Sequence, residues 1–360
     1  MKSPYQCYLS GKWLIKIILV PYVNDESKTK KTVYIPFSKL LLILIFFTYF
    51  SQAHADVEPE LLLSKEEVAE AIKSTVKALE KHYLYPKKAQ QASSALLTAQ
   101  KSGEFDRSFK FGRLKQKVET ILISASGDSS FELLKRRTFS SVNIDSDKRQ
   151  SNSIKVQTLE NNIGYLELDG NFLFSDTDNG IPNALEYLAG SDAIIIDLRN
   201  AGDGSISLAQ HVISYFVEPN TLLGNVYFNP SVDSERIYSV KLEHAPINYR
   251  QNFPIFILNS SFVAGPWEFL GYTLKHLHKA TIVGEDTIGV ATMKKPLPVS
   301  EHLSINIAYA QITHPVTDES WQQRGVFADY QTTAQESFEF AYQLALQAIE
   351  HKSSTAPNSH

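Results

Sequence analysis

The apolar positions of this chain follow two periods, and the change from one to the other divides it. Val68, Ile72, Val76 and Leu79 recur at helical spacing, and Ser64 with Glu67 ahead of them forms a capping box that opens this helix. Pro86 ends it near Tyr83-Leu-Tyr85, because the residue before a proline is pushed out of helical geometry. A second helix is predicted over Lys87 to Lys101 with Gly103 as its C-terminal cap, and a third over Phe111 to Ile123. Lys148 to Ser153 is polar and reads as a linker.

Beyond the linker, apolar runs alternate with helical patterns. Ile163–Leu168, Ala193–Leu198, Ile255–Leu258 and Ala280–Val283 read as strands, and the second and third are continuous enough to be buried on both faces. Helices are predicted over Ile181–Ala189 and Ser207–Phe216, with a turn at Asn200–Gly204 between strand and helix. A strand lies near Leu303–Ala310, and a last helix over Ala334–Glu350 precedes a polar tail. The alternation predicts an α/β core with a largely parallel or mixed sheet.

The most informative stretch runs from Pro254 to Glu285. After the apolar run, Asn259, Ser260 and Ser261 break the strand, and Pro266 suits the first helical position because its missing N–H would have no intrahelical partner. Trp267, Leu270, Leu274 and Leu277 then mark a helix. A strand, tight turn and helix in this order present the turn at the carboxyl end of the sheet, where ligands and catalytic groups gather.

With 360 residues, 43% hydrophobic and 21% charged, the chain can build two cores. The amino terminus is read separately. Lys39, the apolar run Leu40–Phe50 and Ala53-His-Ala55 form a secretory signal pattern with cleavage after Ala55. The run is too short to span a bilayer, so no stable membrane span is expected after cleavage, and the protein is expected to be secreted, in the periplasm. About forty residues precede the apolar run, with a second apolar patch at Trp13–Val20, so a start site placed too far upstream is expected, with an amino-terminal anchor as the alternative.

Cleavage removes seven of the 35 Lys and Arg and two of the 39 Asp and Glu, moving the formal charge from −4 to −9. Nothing in this balance suggests a nucleic-acid partner. The single cysteine, Cys7, is removed too, which excludes a cysteine hydrolase, a disulfide scaffold and a Cys-zinc site. No cofactor and no metal are expected: His276 and His278, two apart on a helix, face different sides.

The order of motifs resembles the tail-specific protease family, also called C-terminal processing peptidases, in the branch with the interphotoreceptor retinoid-binding-protein type of domain, related to the tricorn core. The likeness rests on Tyr83-Leu-Tyr-Pro86, Gly103-Glu-Phe-Asp106, Ile163-Gly-Tyr-Leu166, Ile194 to Asn200, Ala280 to Glu285 and Gly325-Val-Phe-Ala-Asp329. It implies a mixed-sheet α/β serine-peptidase core of the crotonase-like type, preceded by a small helical domain and without an inserted PDZ domain. The expected divisions are a leader at 1–55, a helical domain at 56–147, the core at 148–352 and a disordered tail at 353–360.

The resemblance also implies a serine nucleophile, a histidine base and a glutamate. Aligned without gaps, the nucleophile position falls on Gly265, and a one-residue gap moves it only to Ala264. The histidine of an Asp-x-His-Leu pattern falls on Ser130 within Asp128-Ser-Ser-Phe131, and the glutamate of a Trp-Glu pattern falls on Gln322 after Trp321. The lysine used by the other branch would align with Gly289-Val290-Ala291, where there is none. Glycine has no nucleophile, a hydroxyl does not accept a proton near neutral pH, and an amide does not compensate an imidazolium. The Gly-Gly pair that lends amides to an oxyanion becomes Gly202-Asp203-Gly204, with a carboxylate beside the developing charge.

The reading is therefore a catalytically inactive homologue that binds peptide or protein in the inherited cleft, with Gly202, Asp203, Gly204, Ala264, Gly265 and Trp267 as cleft candidates. The alternative is an active serine peptidase with rearranged residues, and a third is binding of a small apolar ligand. Ser260 and Ser261 are read as satisfying turn backbone, His211 as non-catalytic, and Asp197 with Arg199 as a structural ion pair or turn contact.

Overall fold

In the computed structural model the described residues are 7–10, 14–17, 33–36, 60–136, 153–172, 180–228, 234–242, 249 and 253–355. The chain divides into two units, Met1–Leu61 and Leu62–His360. In the first, β1 (Cys7–Ser10), β2 (Leu14–Ile17) and β3 (Val33–Pro36) make an antiparallel sheet in that order. The apolar run Leu40–Phe50, the cleavage pattern at Ala53–Ala55 and most of the linker lie outside the described residues.

The second unit opens with β4 (Leu62–Leu63), α1 (Lys65–His82), α2 (Pro86–Lys101), β5 (Phe109–Lys110) and α3 (Phe111–Ser126). Ser64 Oγ caps α1 by accepting the N–H of Glu67 at 3.1 Å. The other half of the predicted capping box does not form. The Glu67 carboxylate instead accepts Ser300 Oγ and contacts His302 Nδ1, each at 2.9 Å, because two donors from a distant turn replace one local N–H that water can satisfy. α2 ends as predicted at Gly103, whose φ of 81° is left-handed, with the Glu104 N–H returning to Ala99 O.

A strand, β6 (Glu132–Lys135), leads out of this helical part. Then come β7 (Ser153–Thr158), β8 (Ile163–Phe172), α4 (Ile181–Tyr187), β9 (Ala193–Gly204), α5 (Ile206–Ile213), β10 (Leu222–Phe228) and β11 (Glu235–Tyr238). The chain closes with β12 (Ile255–Asn259), α6 (Pro266–His276), β13 (Thr281–Gly284), β14 (Thr292–Pro298), β15 (Leu303–Thr313), β16 (Tyr330–Gln331) and α7 (Ser337–Thr355). The last helix therefore reaches Thr355, into the predicted tail.

The main sheet runs β16-β13-β12-β9-β8-β7, parallel throughout except for β7 at its edge. The second sheet is antiparallel, β11-β10-β15-β14, with β6 also paired to β15. Ile194, Ile196, Ile255 and Ile257 face a core shared with α5 and α6, while Ile195, Phe256 and Leu258 face α7 through Ala341 and Ala345. Covering both faces is what permits uninterrupted apolar strands. The architecture is a mixed α/β fold with a helical part ahead of the core, and no PDZ domain is evident among the described residues.

Three elements differ from the sequence expectation. The predicted turn at Asn200–Gly204 is strand: β8 and β9 continue past irregularities in their register until Phe172 pairs with Gly204, so these backbone groups are satisfied by a ladder. The segment between Phe216 and Arg250, which has no clear pattern, supplies β10 and β11. α6 is buried on every side from Trp267 to Leu274, not only along the stripe of Trp267, Leu270 and Leu274.

Asp197 and Arg199 at the end of the buried part of β9 are paired side on, Nε to Oδ1 at 2.9 Å and Nη2 to Oδ2 at 2.5 Å, and Tyr165 donates its hydroxyl to Asp197 Oδ2 at 2.7 Å. Arg199 Nη1 also reaches Ala334 O at 2.5 Å, which ties β9 to the segment before α7.

Candidate functional site

The site begins where β12 stops. Ser260 Oγ donates to Arg199 O at 2.7 Å and accepts the Phe262 N–H at 3.4 Å, and the Ser261 N–H is taken by Glu285 at 2.9 Å. Both serines serve the turn. The chain then passes through Gly265 at φ 58°, ψ −117° and enters α6 at Pro266. This backbone conformation belongs to glycine and to strained strand-to-helix elbows, the kind of turn that in hydrolase folds thrusts a nucleophile into open space. A Cβ built on Gly265 meets nothing within 4 Å.

Glu268, fully buried one turn into α6, holds the elbow. Its Oε2 accepts the N–H of Gly265 at 2.9 Å and of Val290 at 2.7 Å, and its Oε1 accepts the N–H of Gly289 at 2.6 Å and the hydroxyl of Thr287. Four donors on two oxygens offset the cost of burying the charge. Only the carboxylate half of a capping box is possible here, since Gly265 has no side chain.

Behind the elbow lies a cavity of about 730 Å³. One wall is Gly202, Asp203 and Gly204 at the end of β9, a second is Ala264, Gly265 and Pro266, and a third comes from β14 and β15 with Thr292, Lys294 and Tyr309. Its size is that of an ordinary ligand pocket. In the first wall the amides are already engaged. The Asp203 N–H donates to Asn171 Oδ1 at 2.6 Å, and the Gly204 N–H donates to the Asp203 carboxylate at 2.8 Å. An oxyanion at Gly204 would compete with a resident carboxylate.

Trp267 does not line the cavity. It is 1% exposed and stands edge-on to Phe172 at 5.8 Å, directly behind Gly204, where a Cβ would lie 3.3 Å from the indole nitrogen. Gln322 is half-buried, and its Oε1 accepts the N–H groups of Ala291 at 2.7 Å and Thr292 at 3.1 Å, while Trp321 Nε1 donates to Val290 O at 3.2 Å. Trp321 and Gln322 thus clamp the segment that forms the third wall. Ser130 does not line the cavity, though Glu132 does. Its N–H is held by Asp128 Oδ1 at 2.8 Å, Tyr83 donates to Asp128 Oδ2 at 2.5 Å, and its own Oγ is buried with no hydrogen-bond partner among the described residues. Burial, with Asp128 beside it, pushes the Tyr83 hydroxyl well above its usual range.

No described histidine, serine or cysteine lines the cavity. His211 packs on Tyr215 at 5.7 Å, and burial lowers its pKa. His276 leans on Tyr272 at 4.2 Å, and His278 follows α6 at a left-handed φ of 54°. Among the described residues, no three or more His, Cys, Asp or Glu are grouped as a metal would need, and no helix is long and apolar enough to cross a membrane. Lining residues that the sequence does not single out include Glu132, Phe262, Thr292, Lys294 and Tyr309. β14, with two lysines and two prolines, shows no apolar alternation that would place it in a sheet.

Solved structures share this fold. A lipoprotein from Streptococcus agalactiae superposes at a TM-score of 0.56 with 14% identity, covering 78% of this chain and 97% of that one. The photosystem II D1 C-terminal processing protease superposes at 0.54 with 13% identity, covering 74% and 93%. The family model of peptidase family S41 matches residues 162–332, from the start of β8 to just beyond β16. Residues 162–332 are thus similar to a peptidase family S41 domain, on a fold shared with a C-terminal processing protease.

Proposed function

We propose that this protein is a catalytically inactive tail-specific-protease homologue that binds a peptide or protein segment in the cavity beside Gly265. The observation that carries the reading is the combination at the elbow: a nucleophile-type backbone turn occupied by glycine, facing a cavity whose described lining has no serine, histidine or cysteine. Of the residues that align with the other catalytic roles, Gln322 spends its side chain on the Ala291 and Thr292 amides, and Ser130 lies outside the cavity lining with its N–H on Asp128. Peptide is the ligand class handled by peptidase families, and a cavity of about 730 Å³ has room for several residues.

Export is part of the same proposal and rests on the sequence, with Lys39, Leu40–Phe50 and Ala53-His-Ala55 as the signal and the periplasm as the destination. The amino-terminal sequence of the protein recovered outside the cytoplasm tests it, with Asp56 expected first.

A fluorophosphonate probe tests the inactive reading. No serine or threonine of the full chain is expected to be labelled. Labelling that is abolished by substituting one hydroxyl residue overturns the reading in favour of a peptidase with rearranged groups.

A further inference from the structure

The charged groups around the cavity are not equivalent. Glu132 is paired with Lys115 at 3.2 Å and also meets Asn306, and Asp203 turns one oxygen onto the Gly204 N–H. Lys294 is exposed and makes no hydrogen bond or ion pair among the described residues. Two residues back on the same strand, Thr292 Oγ1 is buried without a hydrogen-bond partner among the described residues. The β14 wall therefore offers an uncommitted cation, and the β9 wall a carboxylate.

The rim has a second character. Phe262 lines the cavity and is 81% exposed. Ile288 and Phe327 are 53% and 54% exposed. Their backbones are neighbours: the Ile288 N–H reaches Val263 O at 3.3 Å, and the Thr287 N–H reaches Val326 O at 3.4 Å. Three large apolar side chains left in water on neighbouring backbone segments mark a contact surface, and an exposed aromatic is the kind of anchor that carries binding energy.

We propose that the cleft takes an extended peptide segment carrying an acidic residue beside large apolar ones, with the carboxylate on Lys294 and the apolar side chains on Phe262, Ile288 and Phe327. This rests on the peptide-binding reading above and names the class of peptide. The patch continues past the cavity, so its occupant is longer than a small molecule that the cavity encloses. A compact multivalent anion would meet Asp203 in the same space, whereas a single carboxylate on a chain can sit at Lys294 and leave the β9 wall to uncharged backbone. Opposed charges on two walls then fix the register of the bound segment.

The test uses the full chain and a library of short peptides in which one position is Asp, Asn or Lys and its neighbours are Leu, Phe or Ser. Wild type is expected to select Asp with Leu or Phe. Lys294→Glu is expected to lose about tenfold in affinity for the Asp peptides and to gain the Lys peptides, an inversion that a merely misfolded variant does not give. Phe262→Ser is expected to weaken the Leu and Phe peptides and leave the Ser peptides unchanged. Binding without regard to charge, or a Lys294→Glu variant with unaltered preference, overturns this inference and leaves peptide binding standing. A library from which nothing binds overturns both.

Discussion

Glu268 Oε2 accepts the N–H of Gly265 at 2.9 Å, so the residue that shapes the elbow is held by a carboxylate three positions further along the same helix. The same carboxylate holds Gly289 and Val290, which makes it the common anchor of two cavity walls.

Glu268→Gln keeps the shape but turns an NH₂ toward groups that are themselves donors. At least one buried N–H then loses its acceptor, and the variant is expected to lose about 2–4 kcal/mol of stability. Urea unfolding followed by circular dichroism reads this as a lower midpoint. A midpoint equal to wild type would mean that the carboxylate contributes nothing to the elbow.

Gly265→Ser has space for its side chain but not the backbone freedom, because φ of 58° with ψ of −117° disfavours any residue with a Cβ. A stability loss of about 1–3 kcal/mol is expected. Peptide hydrolysis is not expected to appear, since no described histidine lines the cavity to activate the new hydroxyl. Turnover of a fluorogenic peptide by this single variant would show that a base is within reach.

His314 supplies a pH dependence. It is 1% exposed, its Nδ1 accepts the Val316 N–H at 3.3 Å, and burial, with His276 adding to it, pushes its pKa down to about 4. The folded state therefore resists protonation that the unfolded chain accepts at its ordinary value of 6.5. The stabilising difference is complete above about pH 6.5 and is lost as pH falls toward 4, by about 1–3 kcal/mol for this group. Unfolding midpoints measured across that window should fall for wild type and fall less for His314→Gln. Parallel curves would remove His314 as a cause.

The sequence shows the main sheet well because its strands are buried on both faces and announce themselves as apolar runs, as Ile255–Leu258 does. It shows the second sheet poorly. β14 lies partly in the cavity wall and carries Lys294, Lys295, Pro296 and Pro298, so neither periodicity nor composition marks it as a strand. The elbow is legible as a position because Pro266 and the strand before it fix its place. Its anchoring is not, since nothing in the sequence of α6 says that the helix, and Glu268 with it, is buried all round. The capping box at Ser64 and Glu67 fails for the same kind of reason: a local signature is overridden by Ser300 and His302, more than two hundred residues away.

Among the described residues β14 is the outer strand of its sheet, and its outer edge is a poor template for another strand. Pro296 and Pro298 have no N–H to offer, and the amides of Ala291 and Thr292 are spent on Gln322. A chain arriving there finds few main-chain donors, so its identity must be told from its side chains. A peptidase that cuts many sequences profits from reading the backbone that all of them share; a wall built this way suits a receptor that tells one partner from another.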